Sequence, residues 1–110
     1  MSVATATRIA QLNDDFRTGG PAPRWCLTPG IEAKGTAFVF AAVAGVRTFD
    51  TFAARNDPYG EHDFGSLDVM GEQVFWKIDC YDLTLRAGSP APEDPEVTRR
   101  VLTIMLASEY

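Results

Sequence analysis

Hydrophobic positions near the amino terminus recur every three to four residues, the interval that places side chains on one face of an α-helix. These positions are Ile9, Leu12 and Phe16. Gly19 and Gly20 follow, and glycine tolerates the left-handed conformation at a helix end. The pattern predicts a first helix from about Ala4 to Arg17.

Two further segments precede the acidic middle of the chain. RWCLTPG, residues 24–30, is a short β-prone run that predicts a strand closed by Pro29 and Gly30. Residues 36–48 fit a strand by their β-branched and aromatic side chains, or a helix by their alanines. Helical spacing and a length beyond that of an ordinary strand favour a buried helix. The spaced positions are Val39, Val43, Val46 and Phe49.

The segment SLDVMGEQVFWKIDCYD, residues 66–82, has the alternating pattern of a β-hairpin. Met70 and Gly71 are its central turn residues, and Leu67 then faces Val74 across the two strands. Because side chains alternate along a strand, the second strand has a core face and an opposite face. The core face carries Val74, Trp76, Ile78 and Cys80, and the opposite face carries Phe75, Lys77, Asp79 and Tyr81.

The last segment, residues 88–110, combines helix-start signals with an apolar stripe. Asp94 is a typical N-cap residue, Pro95 suits the first helical position, and Glu96 suits the first turn. The apolar stripe comprises Val97, Val101, Ile104 and Met105. We therefore expect a carboxyl-terminal helix that packs on the core face of the hairpin.

The order helix, strand, helix, hairpin, helix predicts one small α+β domain over residues 1–110, with a small, mostly antiparallel sheet packed by helices. Hydrophobic residues make up 45% of the chain and charged residues 23%, which is ordinary globular usage. The longest nearly uncharged run has about a dozen residues, fewer than the roughly 20 of a membrane-spanning helix. The first residues also lack a signal-peptide pattern, so we expect a cytoplasmic protein.

The net charge of -5 is concentrated in one segment. Residues 50–82 contain eight acidic residues and two basic ones, while the rest of the chain is nearly neutral. Because nucleic-acid binding draws on lysine and arginine, this balance disfavours direct nucleic-acid binding. An acidic surface instead favours cations or a protein with a basic surface.

Three segments resemble the signature blocks of a known family. They are NDPYGEHDFG (residues 56–65), VFWKIDCYD (residues 74–82) and VLTIMLASEY (residues 101–110). The family is a domain of unknown function found in small bacterial, mainly alphaproteobacterial, proteins, and the resemblance extends over nearly the whole chain. It implies no known activity, cofactor, partner or site residue.

Residues 56–65 contain the only histidine and several carboxylates. One hypothesis is a small enzyme or metal site with His62, Asp57 and Asp63. Lys77 and Asp79 would project toward it from the hairpin. A second hypothesis is an inert turn, because Asn, Asp, Pro and Gly cluster in turns and the side chain of His62 or Asp63 can bind loop amides. The spacing matches no established metal motif, and Cys26 and Cys80 are too far apart for a ligand pair, so we expect reduced, buried cysteines, no metal and no cofactor.

The interpretation that we favour is a protein-binding or accessory module. Aromatic side chains beside acidic ones are typical of protein-recognition surfaces. The candidate binding residues are Tyr59, Glu61, His62, Asp63, Phe64, Phe75 and Tyr81. The expected partner is another protein with a basic surface, without nucleic acid or membrane, and a homodimer is an alternative.

Overall fold

Three α-helices precede most of the β-structure along the chain. The computed structural model describes residues 2–110. The helices are α1 (Val3–Thr18), α2 (Pro29–Ala33) and α3 (Thr36–Arg47), and the strands are β1 (Trp25–Leu27), β2 (Phe64–Val69), β3 (Glu72–Tyr81) and β4 (Arg99–Leu106). A short 3₁₀ helix, Ala107–Glu109, follows β4.

The four strands form one mixed sheet in the order β1-β4-β3-β2. β1 runs parallel to β4, and the other two pairs are antiparallel. The helices contribute to the same hydrophobic core as the strands. The α+β class predicted from the sequence is confirmed.

The first predicted helix is confirmed, and α1 extends one residue beyond the predicted bounds at each end. Ser2 caps it, since the Ser2 hydroxyl accepts a hydrogen bond from the Thr5 amide at 3.1 Å. The buried face of α1 differs from the predicted one, because it carries polar groups. Its buried residues are Ile9, Ala10, Asn13 and Arg17, whereas Leu12 and Phe16 are half-buried.

The helix favoured for residues 36–48 is confirmed as α3. Its fully packed face consists of Phe38, Ala42 and Val46, while Val39 and Val43 lie half-buried at the side. The strand predicted in RWCLTPG is also confirmed, as β1. The short helix α2 was not predicted: Pro29 occupies its first turn, and the Thr28 hydroxyl accepts a hydrogen bond from the Ile31 amide at 3.4 Å.

The predicted hairpin is confirmed in its register, with Leu67 opposite Val74. Met70 and Gly71 form its turn, with φ angles of 51° and 85°. Positive φ at both central residues is the signature of a type I′ turn, which matches the twist of the flanking strands. The Asp68 carboxylate also accepts a hydrogen bond from the Gly71 amide at 3.0 Å.

The predicted carboxyl-terminal helix is wrong, because this segment forms strand β4. Asp94 binds the Glu96 amide at 2.9 Å, as an N-cap would, but within a turn that leads into extended chain. The apolar run then divides between the two faces of the sheet. Leu102, Ile104 and Leu106 lie on the core face beside Val74, Trp76 and Ile78, while Val101 and Met105 lie on the other.

The core lies between one face of the sheet and the three helices. Trp76 is fully buried there, as predicted for the core face of the hairpin, and Trp25 is packed at the margin of the core. The expectation of two buried cysteines is only partly met, since Cys80 is half-buried but Cys26 is exposed; both are free thiols. Within residues 2–110, no helix is both long and apolar enough to cross a membrane.

Candidate functional site

The loop between α3 and β2 is held by its own side chains. One oxygen of the Asp57 carboxylate accepts hydrogen bonds from the Glu61 and His62 amides, at 3.2 and 3.1 Å. The Asn56 side chain binds the Ala53 amide at 2.8 Å, and Gly60 has a φ of 67°. The turn-forming residues therefore act as the turn hypothesis proposed, with Asp57 binding the loop amides instead of His62 or Asp63.

His62 lies against helix α1, in a contact that the sequence did not predict. Its Nδ1 is 3.0 Å from both carboxylate oxygens of Asp14. Its Nε2 lies 3.5 Å from Asp57, and its ring stacks on Phe52 with centroids 3.8 Å apart and planes 2° apart. The φ of His62 is 54°, a conformation that costs energy for a residue with a Cβ. The imidazole is thus fixed on three sides.

Arg17 connects this histidine to the core. Its guanidinium donates to the Val46 carbonyl at 2.9 Å and pairs with Asp14 at 3.2 Å. It also lies over the rings of Phe52 and Trp76, with the guanidinium carbon 5.5 and 5.1 Å from their centroids. Arg17 is buried, and its ion pair with Asp14 holds in place the carboxylate that His62 contacts.

A groove of about 460 Å³ adjoins this arrangement. It is lined by Asp14, Arg17, Thr18, Arg47, Thr48, Phe49, Asp50, Phe52 and His62. The two carboxylates beside His62 lie at opposite ring nitrogens, so they do not converge on one point. Among residues 2–110, no group of three or more His, Cys, Asp or Glu side chains is arranged to hold a metal ion.

Four carboxylates form an acidic edge where β2 begins and β3 ends. They are Asp57, Glu61, Asp63 and Asp79. Burial raises the pKa of Glu61, and the neighbouring charges of Asp63 and Asp57 raise it further. Burial likewise raises the pKa of Asp63; a backbone hydrogen bond opposes this rise, and the charges of Asp57 and Asp79 add to it. The carboxylates of the acidic edge therefore repel one another, and Lys77 offsets only the charge of Asp79 directly.

Asn13 joins the loop to strand β4 inside the core. Its Nδ2 donates to the Glu61 carbonyl at 2.9 Å, and its Oδ1 accepts a hydrogen bond from Arg100 Nε at 2.6 Å. The Cys80 thiol lies 4.0 Å from the same oxygen. Sequence reasoning missed Asn13, Asp14, Arg17 and Arg100. The available signal was the four-residue spacing of Ile9, Asn13 and Arg17, which continues one helix face with polar residues.

The second face of the sheet, called the open face here, is covered by no α-helix of residues 2–110. Its half-buried side chains are Phe64, Phe75, Lys77, Asp79, Tyr81, Arg99, Val101 and Thr103, and Met105 is buried on the same face. Phe64 and Phe75 pack with centroids 5.3 Å apart, and Tyr110 lies edge-on to both, at 5.9 and 5.4 Å. Lys77 and Asp79 form an ion pair at 3.2 Å.

The structure divides the candidate residues among three places. Phe64, Phe75, Tyr81, Lys77 and Asp79 lie on the open face, and Glu61 and Asp63 lie on the adjoining acidic edge. His62 faces α1 and lines the groove, and Asp57 lies between His62 and the acidic edge. Tyr59 is 79% exposed and lies near the start of α1, apart from both surfaces. The open face and the acidic edge adjoin each other, because Asp79 belongs to both.

The family comparison matches most of these elements. A family model described as Protein of unknown function (DUF3768) matches residues 27–109. The chain belongs to this family. The match includes the loop, the hairpin, β4 and therefore the whole open face except Tyr110. It begins after α1, so Asn13, Asp14 and Arg17 lie outside it.

Neither a curated protein nor a solved structure matches the chain.

Proposed function

We propose that this DUF3768 member is a protein-binding module whose open face and acidic edge together bind a partner with a basic surface. The observation that carries the proposal is the one-sided packing of the sheet: all three helices lie on the core face, and aromatic side chains occupy the other. A sheet normally buries its apolar faces against another layer. A protein partner supplies such a layer.

The aromatic residues of the open face suit this role. Phe64, Phe75 and Tyr110 contact one another and leave part of each ring exposed. Rings held in this way lose little conformational freedom on binding, and buried aromatic anchors dominate the energy of protein interfaces. Tyr81 extends the aromatic surface along β3 toward the acidic edge.

The charges favour a basic partner over an acidic one. Glu61 and Asp63 carry raised pKa values because they are partly buried near other carboxylates. A lysine or arginine placed beside them reduces this repulsion. The repulsion that is present in the free protein and reduced in the complex therefore contributes to the free energy of binding. Complementary charge also speeds encounter and makes binding weaken as salt rises.

The proposed setting is the cytoplasm of a bacterial cell, with neither nucleic acid nor a membrane as the direct partner. The overall charge of -5 is consistent with exclusion of phosphate backbones from this surface. Self-association as a homodimer through the open face is the alternative that the experiments must separate from binding to a different protein.

The test compares two variants in affinity capture from cells that encode this chain. Phe75→Thr with Tyr81→Thr removes open-face aromatics while keeping strand-forming residues. Phe40→Ala is the control, since Phe40 is an exposed aromatic on α3, away from the open face. A partner retained by wild type and control but lost in the double variant supports the proposal, and equal capture by all three contradicts it.

A titration with a defined probe tests the charge preference. Adding a ten-residue lysine peptide to ¹⁵N-labelled protein should shift amide resonances around Asp63 and Asp79, and Asp63→Asn should weaken the response. A ten-residue glutamate peptide is the matched control. Equal responses to both peptides, or shifts confined to the helix side, would contradict the acidic edge as a binding surface.

A second candidate function follows from one contact, the Asp14 carboxylate at His62 Nδ1. A carboxylate there holds the imidazole in one tautomer and orients it as a general base, as in hydrolases. Nε2 is 3.5 Å from Asp57, longer than a good hydrogen bond, which leaves it able to accept a proton from a substrate in the groove. Hydrolysis of chromogenic esters that disappears in both His62→Gln and Asp14→Asn would support this candidate.

A further inference from the structure

A groove of about 620 Å³, called the apolar groove here, lies between helix α3 and strand β1 on the core side of the sheet. This volume is within the range of sites that bind small organic molecules. The lining residues are Pro21, Leu27, Val39, Phe40, Val43, Ala44 and Arg47. Arg47 is the only charged residue of this lining, and the other six residues are apolar.

The fold explains why the apolar groove is open. Its helix residues recur at intervals of four along α3, which places them on one face, beside the buried face of Phe38, Ala42 and Val46. β1 has three residues and lies at the edge of the sheet, so the sheet ends beside this face of α3. Leu27 points to the core side, because its strand partner is the buried Ile104.

The apolar groove leaves hydrophobic surface in contact with water. Phe40 is 71% exposed, and Leu27, Val39 and Val43 are only half-buried. Covering such surface is favourable, and a concave apolar patch is typical of a binding site. The seven lining residues are far fewer than the roughly 20–30 residues that each side of a stable protein interface contributes. The size therefore favours a small molecule as the ligand.

Arg47 indicates the charge of that ligand. Within residues 2–110, no carboxylate lies within 4.0 Å of the Arg47 guanidinium. The side chain is exposed and also lines the groove beside His62, so it lies at the boundary between the two grooves. A guanidinium binds one planar carboxylate through two parallel hydrogen bonds. An apolar molecule that ends in a carboxylate therefore matches both parts of the lining.

The end of helix α3 is prepared for a negative charge nearby. A helix carboxyl terminus ordinarily repels an anion, because its last carbonyl groups are unpaired. Here the buried Arg17 guanidinium donates to the Val46 and Arg47 carbonyls at 2.9 and 3.3 Å. Arg17 also pairs with Asp14, so its contribution is mainly to satisfy these carbonyls. The repulsion that an anion on Arg47 would meet is thereby reduced.

We propose that the apolar groove binds a small amphipathic carboxylic acid of the fatty-acid type. The carboxylate binds the Arg47 guanidinium, and the hydrocarbon chain lies along α3 beside Leu27. One arginine matches a monoanion, whereas a phosphate dianion calls for more positive charge and an amine would be repelled. Each methylene group that the groove covers increases the binding constant about fourfold, so affinity rises with chain length until the groove is filled.

This proposal does not rest on the protein-binding function. The apolar groove and the open face lie on opposite sides of the sheet, so either proposal can fail alone. Phe40→Ala, the control of the capture experiment, removes a ring from the apolar groove and leaves the open face intact. It should therefore retain the protein partner and bind the acid more weakly than wild type.

The experiment measures binding of octanoate, hexanoate and 1-octanol to the full chain at neutral pH, by calorimetry and by the rise in Tm. Octanoate should bind roughly tenfold more tightly than hexanoate, which is shorter by two methylene groups. It should also bind at least roughly tenfold more tightly than 1-octanol, which has the same chain length without the carboxylate.

Two variants locate the site, and each has a matched control. Arg47→Gln should lose the preference for octanoate over 1-octanol, and Arg55→Gln, at an exposed arginine outside the groove, should keep it. Ala44→Gln places a longer side chain in the groove and should weaken octanoate binding at least roughly tenfold. Ala4→Gln, at an exposed alanine of α1, should bind like wild type. All four positions are exposed, and the amide spectrum of each variant verifies its fold.

The proposal is overturned if each groove variant binds octanoate like its control, if 1-octanol binds as tightly as octanoate, or if octanoate does not raise the Tm of wild type. Two other occupants of the groove are outcomes of the same set of proteins. A wild-type dimer that Ala44→Gln converts to a monomer in sedimentation would show that a second copy covers the groove. A captured partner lost in Phe40→Ala would show that a different protein does. Either result overturns the assignment to a small acid.

Discussion

Replacing Asn13 by alanine should destabilise the fold far more than its single small side chain suggests. Asn13 is fully buried on α1 and holds two other parts of the chain, the Glu61 carbonyl at 2.9 Å and Arg100 Nε at 2.6 Å. Alanine has no group to replace either hydrogen bond, and the space that it leaves is small. The loop before β2 and the start of strand β4 therefore each lose a hydrogen bond to α1.

The magnitude follows from the two groups left without a partner. A buried polar group that loses its hydrogen bond costs about 1–3 kcal/mol, and a charged donor such as Arg100 lies at the upper end of that range. Alanine returns roughly 0.5 kcal/mol through its higher helix propensity. The expected net loss is about 2–5 kcal/mol, a lowering of Tm by roughly 10–25 °C in a domain of this size.

Urea unfolding followed by circular dichroism gives the free energy directly, and calorimetry gives the Tm. Gln11→Ala is the matched control, because Gln11 is exposed on the same helix and its replacement brings a smaller gain in helix propensity without a lost internal bond. The reasoning is refuted if the Asn13→Ala protein unfolds within about 1 kcal/mol of the Gln11→Ala protein.

Three further changes have defined outcomes. Burial, and to a smaller extent neighbouring carboxylates, raises the pKa of Asp63 in the folded protein above its ordinary value of 3.8. The contribution of Asp63 to the free energy of unfolding therefore falls as the pH rises from about 3.8 through the raised pKa. Asp63→Asn should therefore raise the Tm at pH 7 and leave it nearly unchanged near pH 3, whereas the exposed control Asp50→Asn should show no such difference; a Tm lowered at pH 7 would contradict the assigned sign. Met70→Asn should stabilise the hairpin turn by about 0.5–1 kcal/mol, since asparagine tolerates the positive φ that Met70 adopts, and unfolding in urea would reveal any loss instead. Gly65→Ala should lower the free energy of unfolding by about 1–3 kcal/mol, because the added Cβ would lie 2.6 Å from Cε2 of the buried Trp76 ring. An unchanged Tm would contradict this prediction and show that the ring can move.

Local patterns were sufficient for most of the fold. The hairpin register was predictable because Met70 and Gly71 mark a two-residue turn and the flanking residues alternate. Helix α3 was predictable from its length and spacing. Its packed face consists of Phe38, Ala42 and Val46, so the predicted position Val46 is buried whereas Val39 and Val43 lie half-buried at the side.

The sequence pattern predicted a helix wrongly in the carboxyl-terminal segment because both faces of β4 carry apolar residues. Val101 and Met105 fill positions that a half-exposed strand usually gives to polar side chains, while the buried Arg100 occupies the core face. The alternation that identifies a strand is thereby hidden. Asp94 and Pro95, which suggested a helix start, serve equally well in a turn.

The candidate site was predictable only in part, because its decisive contacts are not local. The sequence indicates that His62 and Asp57 belong to one loop, but Asp14 comes from α1, which no nearby motif links to that loop. Charge counting placed the acidity correctly in the middle of the chain, but it gave no hint of which carboxylate would contact His62.

The position of β4 inside the sheet has a consequence for biosynthesis. β4 follows β1, β2 and β3 in the chain, yet it lies between β1 and β3 and is the only strand within residues 2–110 that pairs with β1. A nascent chain on the ribosome therefore cannot close the sheet before residue 106 has emerged, and until then the β2–β3 hairpin exposes an unpaired strand edge that favours aggregation. Folding is expected to be a late, all-or-none event governed by distant contacts, and a product that stops before Arg99 should be cleared by proteases instead of accumulating as a partly folded domain.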